Sequence, residues 1–317
     1  MATIVVDKIS KNFSYYVNNG LFKRQHKFKQ ALNSISFDLQ SGEIMGLVGA
    51  NGAGKTTLIK IIAGVMKADS GKVLVNGIDP FDRSLDYRNK VAIVLGQKGK
   101  LHPDMSIFET AAVYGSMYRL STSTVNERIL KIANMLALSS DDLSKQARTL
   151  SLGQRMKGEL CLSFLNEPTV IYLDEPTLGL DARSTKCIRK FLKEYCEIHS
   201  ATAIVTSHNL GDIIETSSKL LILNKGNCAF YGDINKLPSL YNKNTSIRYT
   251  VDNENTKQQI LRNFPETVES GNELNMICQS NEIDTILNSL YSFGNIFELK
   301  IDEIPLESII EDLLHAE

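Results

Sequence analysis

One glycine-rich run limits what this chain of 317 residues can fold into. Residues 49–56 fit the spacing G-x-x-x-x-G-K-[ST]. A short apolar segment, 44–48, precedes the run and is typical of a buried parallel strand, and residues 57–63 continue at helical spacing. Backbone N–H groups of such a loop converge on phosphate oxygens, and the helix N-terminus adds its positive dipole end. The predicted phosphate-binding residues are Gly49, Ala50, Asn51, Gly52, Ala53, Gly54, Lys55, Thr56 and Thr57.

Two carboxylates downstream complete a hydrolytic site around this loop. Asp174 and Glu175 follow a second apolar strand, where the second Mg²⁺ contact of such nucleotide hydrolases belongs. Lys55 is expected to reach the β- and γ-phosphates, and the hydroxyl of Thr56 is expected to ligate Mg²⁺. Glu175 is placed to orient or deprotonate the attacking water. The alternative, that both carboxylates only cap the turn before Pro176, leaves the upstream loop unexplained.

Composition excludes several other classes of protein. The net charge is −1, whereas a general nucleic-acid binder is usually strongly basic, so we expect no nucleic-acid partner. The five cysteines show neither a CxxC pair nor metal-ligand spacing, so reduced thiols are expected. No stretch approaches the roughly 20 apolar residues that a membrane span needs. A membrane function would therefore require a partner that supplies the membrane part.

The order of elements predicts two domains. Buried strands at 44–48, 170–173 and 203–206 alternate with helices, which indicates a parallel α/β core. After about residue 233 the pattern changes to strand–helix–strand–strand–helix–strand, which predicts a small ferredoxin-like α+β module. We place a nucleotide-binding domain at 1–235 and an accessory α+β domain at 236–317.

A basic stretch interrupts the first domain. Residues 18–30 include Lys23, Lys27 and Lys29 together with several asparagines and glutamines. One interpretation is a solvated hairpin loop. The other is a contact with anionic lipid or with the cytoplasmic face of a membrane partner.

A second motif assigns the site to a family. Ser151 and Gly153 lie in a segment, 150–154, that precedes a helix and resembles the LSGGQ signature of ABC ATPases. Three more family positions follow the same order and spacing, namely Gln97 after the strand 91–95, Asp181 in the segment 178–181, and His208 after the third buried strand. The resemblance covers roughly residues 3–235. It implies an ABC-type P-loop NTPase core with an antiparallel β subdomain and a helical subdomain.

The resemblance also implies how the site is divided. Two such domains pack head to tail, so that ATP lies between the phosphate loop of one and the segment of the other that holds Ser151, Gly153 and Gln154. Gln97 would sense the γ-phosphate, take part in Mg²⁺ binding and link the site to the membrane partner. His208 would contact the γ-phosphate, and Asp181 would couple the two sites.

An aromatic residue is expected to stack on adenine in this family. Phe13 occupies that place in the segment 10–13. Tyr15 and Tyr16 are close enough in sequence to take the role instead. All three remain open on the sequence alone.

One position departs from the family pattern, because Leu152 replaces the first glycine of the signature pair. Ser151 and Gly153 remain, so activity is expected to survive. The segments 150–157 and 96–98 look like those of ATPases that pair with type-2 ABC exporter permeases. This resemblance predicts an ATP-hydrolysing motor subunit at the cytoplasmic face of the cell membrane. It would pair with a second ABC ATPase subunit and with separate integral-membrane permease subunits.

Two alternatives belong to other functional classes. A soluble ABC ATPase acting on ribosomes normally carries two ATPase domains in one chain, whereas this chain has one phosphate loop and one signature segment. An ATP-binding but inactive regulatory subunit usually loses a catalytic residue, and both Glu175 and His208 are present. A transport motor therefore remains the favoured hypothesis.

Overall fold

The computed structural model describes residues 3–18, 24–95, 99–240, 245–271 and 273–315. The chain divides into two compact units, one of Met1–Ile234 with Leu313–Glu317 and one of Asn235–Asp312. The functional assignment of a nucleotide-binding domain to 1–235 and of an accessory domain to 236–317 remains a proposal.

The first unit mixes strands and helices throughout its length. Its strands are β1 Ile4–Asn18, β2 Arg24–Leu39, β3 Ile44–Gly49, β4 Ser70–Val75, β5 Val91–Leu95, β6 Val170–Asp174, β7 Thr202–Thr206, β8 Lys219–Asn224 and β9 Asn227–Asp233. Its α-helices are α1 Lys55–Ile62, α2 Leu85–Asn89, α3 Ile107–Met117, α4 Thr122–Met135, α5 Ser140–Ser144, α6 Leu152–Ser163, α7 Ala182–His199 and α8 Leu210–Thr216.

The central sheet has the order β5-β6-β7-β3-β8-β9, in which β9 alone is antiparallel to its neighbour. The middle strands are buried along almost their whole length, which is the physical reason for their continuous apolar sequences. Because β3, β7 and β6 are parallel neighbours, their carboxyl ends meet at one edge of the sheet. The predicted parallel α/β core is confirmed, and this edge positions the site.

A smaller antiparallel sheet has the order β2-β1-β4. Ile4, Ile9 and Leu32 point from it into a core shared with β3 and α1. The ladder between β1 and β2 continues outward to Asn18 opposite Arg24. Most of the basic stretch at 18–30 is therefore strand and not a hairpin loop, because backbone pairing continues where the side chains have turned polar. Residues 19–23 lie outside the described part of the chain.

The helical part of this unit runs from α3 to α6. Ser106 and Ser139 begin α3 and α5 with capping boxes, in which a serine hydroxyl and an acidic side chain three residues later satisfy reciprocal backbone N–H groups. Ile107, Ile129 and Leu160 are fully buried and pack in one cluster between these helices and the central sheet. The predicted antiparallel β subdomain and helical subdomain are both confirmed.

The second unit is a small α+β module. Its strands are β10 Thr245–Val251, β11 Val268–Ser270, β12 Glu273–Cys278 and β13 Ile296–Glu303, and its α-helices are α9 Leu237–Leu240, α10 Glu254–Asn263, α11 Ile283–Phe293 and α12 Leu306–His315, the last of which ends beyond the bounds of the unit. All neighbouring strands are antiparallel in the order β11-β12-β10-β13. The first and third strands of the βαββαβ order are thus central, which confirms the ferredoxin-like prediction.

Across the described ranges, no helix combines the length and the apolar character needed to cross a membrane. All five cysteines are free thiols, and burial raises the pKa of Cys161 and Cys196 to about 12.

Candidate functional site

The phosphate loop connects β3 to α1 with two glycines in the left-handed region. Gly52 has φ +82° and Gly54 has φ +111°. A Cβ atom on Gly54 would lie 2.5 Å from the carbonyl oxygen of Ala31, so only glycine fits there. No side chain caps the N-terminus of α1. The first N–H groups of this helix are therefore available to an anion.

Lys55 opens the helix and is folded onto the loop. Its Nζ donates to the carbonyl oxygens of Gly49, at 2.5 Å, and Ala50, at 3.4 Å. Burial lowers the pKa of this ammonium, while the nearby carboxylates of Glu175 and Asp174 oppose that shift. A phosphate would give the buried charge a stronger acceptor than the neutral carbonyls do.

Asp174 ends β6 between two hydroxyl groups. Its Oδ2 accepts a hydrogen bond from Thr56 Oγ1 at 3.2 Å, and its Oδ1 accepts one from Thr206 Oγ1 at 2.8 Å. Two of the three residues predicted to take part in Mg²⁺ binding, Thr56 and Asp174, are therefore in direct contact. A carboxylate and a hydroxyl are oxygen donors of the kind that Mg²⁺ prefers.

Within the described residues, no group of three or more His, Cys, Asp or Glu side chains could hold a metal by itself. Mg²⁺ usually takes one or two protein ligands and completes its shell with waters and substrate phosphates. The pair Thr56 and Asp174 thus fits a metal that arrives with a nucleotide.

Glu175 has a strained backbone and an unsatisfied side chain. Its φ is +56°, a conformation that costs energy for a residue with a side chain and is common at functional sites. Its Oε2 accepts a hydrogen bond from the backbone N–H of His208 at 3.0 Å. Its Oε1 is buried, has no hydrogen-bond partner and lies 3.5 Å from Nε2 of His208.

Two opposing effects set the pKa of Glu175. Desolvation raises it above the usual value for a glutamate, and the nearby charges of His208 and Lys55 act against that rise. A buried carboxylate oxygen without a partner is the acceptor that a water molecule would satisfy. The position of Glu175 therefore fits the predicted role of orienting the attacking water.

These groups share one cavity of about 280 Å³. Its lining consists of Phe13, Lys29, Ala31, Ala50, Asn51, Gly52, Gly54, Lys55, Thr56, Thr57, Asp174, Glu175 and His208. Of the three aromatic candidates for stacking on adenine, Phe13 lines this cavity, and Tyr15 and Tyr16 do not. The structure thus brings the loop, both carboxylates and His208 together at one cavity.

The signature segment lies elsewhere and does not line this cavity. Ser151 begins α6 with a capping box that it shares with Gln154, and Leu152 is 52% exposed. A Cβ on Gly153 would lie 2.5 Å from Ser184 Oγ, and that hydroxyl donates to Asp181 at 2.8 Å. The structure therefore groups Gly153 with Asp181, away from the phosphate loop. Gln97 lies outside the described residues.

Sequence reasoning missed Thr206, which is fully buried at the end of β7. Its hydroxyl donates to Asp174 and accepts from the backbone N–H of Glu175 at 2.9 Å. The parallel register places Thr206 directly beside Asp174. Its place two residues before His208 was the available signal, but one sequence does not reveal which side chain of β7 meets β6.

Asp212 was missed as well. Its Oδ2 accepts from Thr177 Oγ1 at 2.9 Å and from Ser207 Oγ at 3.4 Å, and its Oδ1 accepts from Arg189 Nη1 at 2.8 Å. Thr177 lies two residues after Glu175, and Ser207 directly precedes His208. Asp212 therefore joins the two loops that carry these side chains.

The fold and this cavity define a P-loop nucleotide hydrolase, and comparisons with known proteins narrow the class further. The sequence profile of the ABC transporter family matches residues 32–178. The energy-coupling factor transporter ATP-binding protein EcfA2 of Caldanaerobacter subterraneus is 30% identical over 205 residues, which are 64% of this chain and 72% of that protein. The sulfate/thiosulfate import ATP-binding protein CysA of Pseudomonas putida is 36% identical over 210 residues, which are 64% of this chain and 62% of that protein.

A solved dimeric structure of a bacterial ABC transporter cassette has the same fold, with a TM-score of 0.63 and 23% identity. The match covers 73% of this chain and 98% of that cassette. This chain belongs to the ABC transporter ATP-binding family and is an ATP-binding ATPase.

We expect Thr206→Val to lower ATP hydrolysis about 10-fold, because valine removes one hydrogen bond to a carboxylate and one from a backbone N–H. Thr206→Ser keeps the hydroxyl and is the matched control, with activity close to that of the unmodified protein. Steady-state phosphate release measures both variants, and circular dichroism checks their folding. Equal losses in the valine and serine variants would contradict a specific role of the hydroxyl, because the serine variant keeps it.

Proposed function

We propose that this chain is the ATP-hydrolysing motor subunit of an ABC exporter. In this proposal it works as a head-to-tail pair and drives separate integral-membrane permease subunits. One observation carries the proposal. The phosphate loop, Asp174, Glu175 and His208 share a cavity, whereas the signature segment lies outside it and exposes Ser151 and Leu152. A single chain thus presents two separate halves of a site.

Each residue of the cavity has a role that its surroundings support. The loop N–H groups and Lys55 hold the triphosphate, and Thr56 with Asp174 holds a magnesium ion that neutralises phosphate charge when bound. Glu175 takes up a hydrogen bond from the attacking water at its unpartnered Oε1, with His208 beside it. Phe13 stacks on adenine. Gln97 lies outside the described residues, and its proposed part in the magnesium site and in the link to the permease rests on the family resemblance alone.

The signature half is built to meet a second chain. Ser151 is exposed at the N-terminus of α6, and Leu152 is half-exposed beside Gly179. A Cβ atom built on Gly179 would lie 3.4 Å from Cδ2 of Leu152. Gly153 is buried against the side chain of Ser184 in its own chain, and Asp181 lies beside it. In the proposed pair, Ser151, Gly153 and Gln154 of one chain close over the ATP held by the phosphate loop of the other. Asp181 then couples the two sites.

The membrane partner is proposed from the relatives. One related protein is named as a transporter ATP-binding protein and another as an import ATP-binding protein. The described part of this chain contains no helix that could span a bilayer. Permease subunits would supply the spans and hold the chain at the cytoplasmic face of the membrane.

Export rests on the resemblance of the signature segment, the basic stretch and the added C-terminal unit to the exporter-pairing branch. One relative is an import ATP-binding protein, so family membership by itself leaves the direction open. A soluble ABC ATPase outside transport is the second candidate. The intact pair of Glu175 and His208 disfavours a purely regulatory ATP-binding subunit.

We expect Glu175→Gln to lower ATP hydrolysis by roughly 100-fold or more, because the amide cannot accept a proton from water. The variant should still bind MgATP and should elute as a dimer in size-exclusion chromatography with MgATP. Glu127→Gln, which changes an exposed carboxylate on α4, is the control. Undiminished turnover in Glu175→Gln would contradict the assigned role.

A mixing experiment tests the head-to-tail pair. We expect Lys55→Ala and Ser151→Arg each to abolish hydrolysis when they are the only chain present. Mixing the two variants should restore part of the activity. In each mixed dimer, one of the two ATP sites combines an intact phosphate loop from one chain with an intact signature segment from the other. If both residues served one site within a single chain, the mixture would stay inactive.

The direction of transport is tested in inside-out vesicles that contain the chain with its permease. With MgATP outside, an exporter should accumulate a labelled substrate of the co-purified permease in the lumen, and Glu175→Gln should abolish that accumulation. ATP-driven release of a preloaded solute would instead indicate import. Co-sedimentation with ribosomes, without any permease in the purified complex, would favour the non-transport candidate.

A further inference from the structure

The outer part of the β1–β2 hairpin reaches the nucleotide cavity with a basic residue. Phe13 on β1 and Lys29 on β2 are direct cross-strand partners, and both line the cavity. Directly opposed residues of an antiparallel pair hold their side chains on one face of the sheet, about 5 Å apart at Cβ. The hairpin therefore presents a ring and an ammonium group together.

The ammonium group lies close to the phosphate loop. A Cβ atom built on Gly52 would be 3.8 Å from Nζ of Lys29. Gly52 is the tip of the loop, where φ is +82°. Lys29 thus stands between the proposed adenine platform and the loop that receives phosphates.

Charge distinguishes Lys29 from the other lysines near the site. Lys11 lies 5.9 Å from the ring centre of Phe13, but its charge is paired with Asp69 at 2.6 Å. Lys55 is engaged by the loop carbonyls. Among the described residues, the side-chain ammonium group of Lys29 has neither an ion-pair nor a hydrogen-bond partner. The ammonium group of Lys29 is therefore a positive charge at the lining of a cavity that is expected to bind the phosphates of a nucleotide.

We propose that Lys29 is a nucleotide-binding residue that pairs with the phosphate chain of bound ATP or ADP. The inference rests on the proposed nucleotide site and adds a contact that comes from the hairpin, outside the phosphate loop. It also divides the basic stretch, since Lys29 serves the cavity whereas Lys27, two residues earlier on the same strand, does not line it.

The test compares two glutamine variants on one strand. We expect Lys29→Gln to raise the Kd for MgATP and for ADP about 10-fold. This factor corresponds to the weakest charge-assisted hydrogen bonds, because Lys29 lies at an exposed position. Lys27→Gln should leave both affinities unchanged, and Lys29→Arg should retain most of the binding. Isothermal titration calorimetry measures all four proteins, the unmodified chain included.

Two further readouts separate a phosphate contact from a structural role. The loss in Lys29→Gln should appear in KM more than in kcat, and its ATP affinity should depend less on salt concentration, because one ion pair is missing. Competition by adenosine, which carries no phosphate, should be unchanged. Equal weakening of adenosine binding and ATP binding would overturn the proposal. It would show instead that Lys29 positions the ring of Phe13 and does not contact phosphate.

The outcomes also distinguish this inference from the proposed site itself. If Lys55→Ala loses ATP binding and Lys29→Gln does not, the site stands and the role of Lys29 is refuted. If neither Lys55→Ala nor Lys29→Gln changes ATP affinity, the cavity is not the nucleotide site and both proposals fail.

Discussion

The hydrogen bond that Thr206 donates to Asp174 holds the site together. It joins two neighbouring strands where they end, and the same hydroxyl accepts the N–H of Glu175. Asp174 in turn accepts from Thr56 at the start of α1. Elements distant in sequence thus share one set of hydrogen bonds, centred on the buried hydroxyl of Thr206, where an unmade bond is costly. The register of the parallel strands β6 and β7 places Asp174 beside Thr206. The carboxylates of Asp174 and Glu175 therefore cannot shift along the strand without breaking this pairing.

Around these hydrogen bonds, the nucleotide cavity contains a strained residue and polar groups that lack hydrogen-bond partners. Glu175 has a left-handed backbone and a buried oxygen without a partner. The N-terminus of α1 has no side-chain cap. Lys55, partly buried, is held by carbonyl oxygens and not by a carboxylate. Bound phosphate would satisfy the uncapped N–H groups and Lys55, and a bound water would satisfy the carboxylate oxygen, whereas the strained backbone of Glu175 holds that carboxylate in place. Ser151 is different, because its hydroxyl already caps α6 and is exposed to whatever covers that surface.

Much of this arrangement could be predicted because its signals are local. The spacing of glycines and Lys55 depends on the geometry of one turn, and continuous apolar runs mark strands covered on both faces. The strand order of the ferredoxin-like unit also followed from its sequence of elements, since few antiparallel topologies connect βαββαβ. Thr206, Asp212 and Lys29 were not predicted as site residues. Each of these side chains lies next to a residue that is distant in sequence. A single threonine, aspartate or lysine forms no sequence motif that would reveal such a contact.

The amino-acid sequence by itself determined that this chain binds and hydrolyses ATP and that it belongs to the ABC family, because these properties reside in short motifs with fixed internal spacing. Only the tertiary structure decided which residues meet. It placed Phe13, and not Tyr15 or Tyr16, beside the phosphate loop, and it extended β2 so that Lys29 reaches Gly52. It also separated Ser151 from Lys55. The physical reason is that strand register and helix packing set distances between segments, and no property of either segment alone encodes them.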